Sequence, residues 1–270
     1  MTIPPPIGIF DSGLGGLSVW REIRHALPAE SLIYVADQAY CPYGRKPAGE
    51  IRDRAYLITD FLIKKGCKMV VVACNTATAA AIQDLRQRYT LPFVGMEPAL
   101  KPAVLQSKTG KVGILATQGT LRGGHFLRNL SQVPAEKEVL VQEGEGLVEA
   151  VERGEWDHPQ TRKLLEKYLH PLLEKGADQV VLGCTHYPFL AAPIQEILAG
   201  QATLIDPAPA IARRVEALLT EGKALAPSPG HGGCSFFTNL SPADFQMSFQ
   251  RLCPAIPSED FHFAYSPELA

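Results

Sequence analysis

The chain alternates short apolar runs with longer stretches in which apolar residues recur every three to four positions. The runs are Ile7 to Phe10, Leu32 to Val35, Lys68 to Ala73, Phe93 to Met96, Val112 to Ala116, Val139 to Gln142, Gln179 to Gly183 and Thr203 to Ile205. Helical spacing marks Glu50 to Lys65, Thr76 to Tyr89, Gln160 to Lys175 and Ile211 to Leu219. A strand that is apolar on both faces has to be covered on both, so this alternation predicts a parallel sheet between helical layers. The fold class expected is α/β.

Inside the alternation lies a repeat. Ile7-Gly8-Ile9-Phe10-Asp11-Ser12-Gly13 resembles Val112-Gly113-Ile114-Leu115-Ala116-Thr117-Gln118, and Val70-Val71-Val72-Ala73-Cys74-Asn75-Thr76 resembles Val180-Val181-Leu182-Gly183-Cys184-Thr185-His186. Gly8 precedes Cys74 by 66 positions and Gly113 precedes Cys184 by 71, so the spacing repeats as well. Two similar α/β units are implied, with a boundary near Glu97-Pro98. Residues after about Ile211 have no counterpart in the first repeat and are expected to cross back onto the first unit. Ala226 to Gly233 reads as a loop and Cys234 to Thr238 as an edge strand. A helix then begins at Ser241-Pro242, with Ser241 as N-cap and Pro242 in the first helical position. The tail carries no chemistry on this reading.

Composition narrows the function classes. Among 270 residues, 26 Lys plus Arg against 28 Asp plus Glu leave a formal charge of -2, which offers no nucleic-acid surface. A hydrophobic share of 46% with 20% charged residues excludes global disorder. The first ten residues lack a basic n-region, contain Pro4, Pro5 and Pro6, and run into Asp11, unlike a signal peptide. Apolar stretches such as Met69 to Cys74 fall far short of the ~20 residues that span a bilayer. A cytoplasmic protein with no membrane partner is expected. In a reducing compartment Cys41, Cys67, Cys74, Cys184, Cys234 and Cys253 form no disulfide framework, and neither they nor the histidines show metal-ligand spacing. No metal is expected.

Two of those cysteines stand out by position. Cys74 and Cys184 each end an apolar run and precede short polar residues, where an α/β sheet hands over to a helix and ligands bind. The polar residues can cap the next helix, and its free N-H groups favour a thiolate. Matching thiols in two repeated units can face each other across a cleft. That geometry suits racemisation, in which one face of a carbon loses a proton and the other gains one. Asp11 on the Cys74 side and His186 on the Cys184 side are candidate proton partners, against the plainer readings of a turn residue and a satisfied hydrogen-bonder. Asn75, Thr76 and Thr185 are candidate donors to a carboxylate. Asp11-Ser12-Gly13-Leu14-Gly15-Gly16 allows a ligand near backbone amides but matches no nucleotide motif. Cys41, beside Pro42-Tyr43-Gly44, is placed to approach the pocket but is read first as a packing or turn residue, Cys67, Cys234 and Cys253 as structural, and Arg45-Lys46 as either steering for an acidic substrate or solvated surface.

Gly8 to Gly16, Tyr34-Val35-Ala36-Asp37 with Pro42-Tyr43-Gly44, Ala73 to Ala77, Gly95 to Ala99 and Gly183 to Pro188 together resemble the bacterial glutamate racemase family, in order from about Ile7 to Pro207. The resemblance implies two flavodoxin-like parallel-sheet domains related by a pseudo-twofold axis, with the active site in the cleft between them. The first would comprise 1–98 plus 209–270 and the second 99–208. It implies cofactor-independent interconversion of L- and D-glutamate, supplying D-glutamate for peptidoglycan. By resemblance Cys74 and Cys184 are the acid/base pair, assisted by Asp11, His186 and Glu152. Asp11, Ser12, Tyr43, Gly44, Asn75, Thr76, Thr185 and His186 would line the substrate site. Glu149 competes with Glu152 for the acidic position. A homodimer is implied, and a DNA gyrase interaction is known for some members. Phe237-Thr238-Asn239-Leu240 departs most from the family pattern.

Three alternatives stay open at this point. One is a racemase for aspartate or another small acid. Another is a single-thiol nucleophile forming a thioester, which would leave the second cysteine without a task. The third is a binding protein.

Overall fold

Every apolar run becomes a strand, and the strands sort into two parallel sheets. They are β1 (Ile7–Asp11), β2 (Leu32–Ala36), β3 (Met69–Val72), β4 (Phe93–Gly95), β5 (Lys111–Ala116), β6 (Glu138–Glu143), β7 (Gln179–Gly183), β8 (Thr203–Ile205), β9 (Cys234–Thr238) and β10 (His262–Tyr265). The helices are α1 (Leu17–Ala26), α2 (Ala48–Lys64), α3 (Asn75–Arg88), α4 (Leu100–Gln106), α5 (Gln118–Arg122), α6 (Gly124–Ser131), α7 (Leu147–Glu152), α8 (Pro159–Glu174), α9 (Ala191–Leu198), α10 (Ala208–Glu221) and α11 (Pro242–Leu252). This computed structural model describes residues 4–227, 230–258 and 261–270, the side chain of His125 excepted. Ser228-Pro229, within the expected loop, lies outside the described residues. No helix among the described residues is long and apolar enough to cross a membrane.

One sheet runs β10-β9-β2-β1-β3-β4 and the other β6-β5-β7-β8, with every pairing parallel. The order β2-β1-β3-β4 is repeated as β6-β5-β7-β8, so β5 corresponds to β1 and β7 to β3. In each unit the central strands β1 and β7 are buried along their whole length, as continuous apolar runs require.

The mid-strand glycines of the repeat have one shared cause. A Cβ on Gly8 would come within 3.0 Å of Leu62 on α2, and one on Gly113 within 2.9 Å of Leu172 on α8. Each glycine lets a covering helix settle on its strand.

The tail joins the first sheet. β9 pairs with β2 on one side and β10 on the other, so Cys234–Thr238 is an interior strand and β10 is the edge. The sequence points to an edge strand because the weaker His262–Tyr265 run gives little sign of a further neighbour. Trp20 of α1 packs on Phe236 (5.2 Å between centroids) and Phe249 (5.3 Å), and Phe236 stacks on Phe263 at 4.7 Å. Such pairs add about 0.5–1.5 kcal/mol each beyond the area they bury. α10 also packs against α1, returning the chain from the second sheet to the first. Ser241 caps α11 by accepting from the Asp244 N–H at 3.3 Å, with Pro242 in the first turn.

Candidate active site

Ligands in open α/β sheets bind beyond the carboxyl ends of the strands, where strand order reverses. In the first sheet that point lies between β1 and β3, and Asp11 and Cys74 stand there. In the second it lies between β5 and β7, where Thr117 and Cys184 stand. The two points meet in a narrow cavity lined by Ser12, Pro42, Tyr43, Gly44, Cys74, Asn75, Thr76, Thr117, Val148, Cys184, Thr185 and His186. Both cysteines therefore border one space, each reaching it from a different sheet.

The helix-terminus argument holds for Cys74 and not for Cys184. Cys74 is itself the N-cap of α3, and its sulfur accepts from the Ala77 N–H at 3.4 Å. Asn75 and Thr76 do not cap; they occupy the first turn of the helix. After Cys184 the chain enters a 3-10 turn at Tyr187–Leu190, because Pro188 lies there, and α9 begins only at Ala191. Cys184 instead meets an imidazole, with His186 Nδ1 at 3.7 Å from its sulfur.

Charge is distributed unevenly around the two sulfurs. Burial, and then the nearby Asp11, push the Cys74 thiol well above its ordinary value. Burial also raises Asp11, although His186 and the Gly13 N–H act in the other direction. Asp11 Oδ2 accepts from the Gly13 N–H at 2.9 Å and Oδ1 from the Thr185 hydroxyl at 3.0 Å. Burial alone would lower His186, but its hydrogen bonds to Cys184, Cys41 and Glu152 outweigh it and hold the ring well above its usual value. The His186 ring, so raised, stands beside the Cys184 sulfur as a source of positive charge.

Of the two acidic candidates, Glu152 faces the histidine. Its Oε1 lies 2.6 Å from His186 Nε2 and accepts from the Leu14 N–H at 2.7 Å. Glu149 lies at the mouth, where Glu145 and Glu149 meet Arg45 at 2.8 and 3.8 Å. Arg45 is thus charge-compensated, and Lys46 pairs with Glu50 at 2.5 Å, so this basic pair presents little net charge to a substrate. Cys41, expected to pack, approaches Glu152 Oε1 at 3.7 Å, with burial pushing its thiol up to about 12.

Cys41, Glu152 and His186 bring their ligand atoms within 4.8 Å of one another, the one such group of three among the described residues. The donor spacing fits a proton better than an ion. Two N/O ligands on a tetrahedral zinc sit about 3.3 Å apart for bonds of about 2.0 Å, whereas His186 Nε2 and Glu152 Oε1 are 2.6 Å apart.

Asn75 presents hydrogen-bonding capacity that the protein's own groups do not use. It is 4% exposed and lines the cavity, yet neither its Nδ2 nor its Oδ1 has a partner. A buried amide left unpaired costs about 1–3 kcal/mol, which a ligand with both donor and acceptor groups would recover.

Thr117 is the residue that sequence reasoning passed over. Its hydroxyl is 2.9 Å from Thr76 and 3.0 Å from Thr120, linking the two sheets at the cavity wall. The signal was in the repeat, where Thr117 occupies the place of Ser12. The glycine-rich loop also has a different reason from the one its sequence suggests. A Cβ on Gly13 would fall 2.2 Å from Glu152 Oε1 and one on Gly15 2.3 Å from His186 Nδ1, so these glycines admit side chains of the other unit.

Comparisons with known proteins agree with this geometry. A family model described as Asp/Glu/Hydantoin racemase matches residues 7–215. A glutamate racemase of Ectopseudomonas mendocina is 50% identical over 83% of this chain and 86% of its own. One from Pseudomonas paraeruginosa is 48% identical over 89% and 91%. Among solved structures, glutamate racemase isoform RacE1 from Bacillus anthracis superposes with a TM-score of 0.87 at 30% identity, covering 97% of this chain and 96% of that one. Escherichia coli glutamate racemase in complex with L-glutamate and the activator UDP-MurNAc-Ala gives 0.82 at 33% identity, covering 97% and 98%. With the family model covering β1 to β4 of the first sheet and all of the second, and the relatives matching over most of their length, the chain belongs to the Asp/Glu/hydantoin racemase family and is an enzyme of the racemase class.

Proposed function

We propose that the protein interconverts L- and D-glutamate without a cofactor by a two-thiol proton transfer, and supplies D-glutamate for peptidoglycan in the cytoplasm. The observation that carries this reading is the pair Cys74 and Cys184 bordering one cavity from equivalent strand ends of two repeated units. One sulfur, as thiolate, takes the Cα proton; the electron pair moves into the carboxylate; the thiol opposite delivers its own proton to the other face. The reverse reaction exchanges the two roles. Because the Cα proton is a very weak acid, the charge arriving on the carboxylate has to be met by donors already in position. The unpartnered Asn75 amide and the Ser12, Thr76 and Thr117 hydroxyls supply them, with Tyr43, Gly44 and Thr185, whose hydroxyl is given to Asp11, closing the wall. Asp11 assists on the Cys74 side, and His186, backed by Glu152, on the Cys184 side. A homodimer and a gyrase contact rest on the family resemblance alone.

Cys74→Ala and Cys184→Ala should each lower racemisation by about 10³-fold or more, since each removes an obligatory acid/base group. Polarimetry with both enantiomers measures this, and full turnover in either variant would contradict the reading. Glutamate and aspartate assayed side by side decide the substrate, with glutamate expected to be preferred.

A further inference from the structure

Asp37, just beyond β2, is fully buried and has both oxygens engaged. Oδ1 accepts from Arg54 Nη2 at 2.6 Å and from Asn239 Nδ2 at 2.6 Å. Oδ2 accepts from Arg54 Nε at 3.0 Å and from the Tyr43 hydroxyl. Arg54 Nη2 and Asn239 Nδ2 (3.1 Å) also donate to the Leu269 carbonyl, in the 3-10 turn that ends the chain. The other end of the Asn239 amide accepts from the Ala39 N–H at 2.9 Å, and the Tyr40 ring covers the Arg54 guanidinium at 3.8 Å from its centroid. The segment from Asp37 to Tyr43 is therefore gripped at Asp37, Ala39 and Tyr40 by Arg54 of α2 and by Asn239 just after β9, and those two are themselves tied to the Leu269 carbonyl. Its far end, Pro42-Tyr43-Gly44, is a wall of the cavity that holds both cysteines.

We propose that Asp37, Arg54 and Asn239, locked by the C-terminal turn, are positioning residues that hold Tyr43 and so set the fit of the substrate pocket. The inference rests on the glutamate reading above. A buried ion pair adds little net stability, because desolvation offsets its Coulombic gain; what a forked, fully hydrogen-bonded pair gives is a defined geometry. Burial, then the adjacent Asp37, hold the Tyr43 phenol well above its ordinary value, so it stays a hydrogen-bond donor. The tail segment that departs from the family pattern thereby connects to the site without lining the cavity.

The test is steady-state kinetics on Asn239→Leu, which keeps the volume and removes the amide, and on Arg54→Lys, which keeps the charge and loses the fork. Each should raise KM for glutamate about tenfold while kcat changes less than about threefold. In a Tyr43→Phe background, where the hydroxyl link is already cut, Asn239→Leu should raise KM no further. Unchanged KM, or the same rise in both backgrounds, overturns the inference. So does loss of near-UV circular dichroism in both single variants, which would make the network's role one of folding alone. Wild-type glutamate turnover is the control: its absence removes the glutamate reading, while its presence beside unaltered variants removes only this inference.

Discussion

His186 is 2% exposed, yet three partners outweigh the burial that would discharge it. A histidine whose folded value is raised adds stability that is complete below its ordinary value of 6.5 and is lost as pH climbs through the raised one. His186→Gln should therefore fall furthest behind wild type in urea midpoint at mildly acidic pH, and the gap should narrow as the solution becomes alkaline. A gap independent of pH would mean that the ring titrates alike in the folded and unfolded chain, and a gap that widens as pH rises would mean that the folded ring is neutral; either result would contradict this account. Much at this scale was legible in the sequence: Cys74, Cys184, Asp11 and His186 announce themselves by position after apolar runs. Glu152 and Glu149 could not be separated, since three residues apart on α7 they share a helix face, and only the packing of that helix decides which one meets His186. Cys41 does pack against the core, and its contacts with Glu152 and His186 were hidden for a related reason, because those neighbours are 111 and 145 positions away.

Among the elements, the loop between β1 and α1 shows how a motif can be noticed for the wrong cause. Its glycines are spaced for close approach, and what approaches is a protein side chain. Gly15→Ala should push His186 aside, costing about 1–3 kcal/mol of overpacking and about 10² in kcat/KM through a shift on the order of an ångström. Gly49, near the start of α2, provides the control, since nothing lies within 4 Å of where its Cβ would stand. Gly49→Ala should leave turnover unchanged and stabilise the fold by about 0.5–1 kcal/mol. Thermal melts and initial rates measure both; equal losses of activity in the two variants would remove the steric argument. The long helices α2, α3, α8 and α10 were readable because their periodic faces are long. The short α4 to α7 and α9 were not, being five to eight residues each and fixed by contacts with the sheets.

At the level of the whole molecule, repetition is the organising fact. Two sheets that share a four-strand order present equivalent strand ends to one cavity, and hydrogen bonds such as Thr76–Thr117 and Thr185–Asp11 join them there. Alternating apolar runs and a matching Cys spacing made this much visible from sequence. The interior place of β9 was not, because strand order depends on the aromatic packing of Trp20, Phe236 and Phe249, which no local pattern reveals. The central claim is that hydrogen leaves one face of Cα and enters from the other through separate sulfurs. L-glutamate turned over in D2O and stopped at low conversion tests it most directly, with mass spectrometry of both enantiomers. The account predicts one deuterium at Cα of the D-glutamate formed and none in the recovered L-glutamate; product retaining the original hydrogen, or equal labelling of both enantiomers, would contradict it.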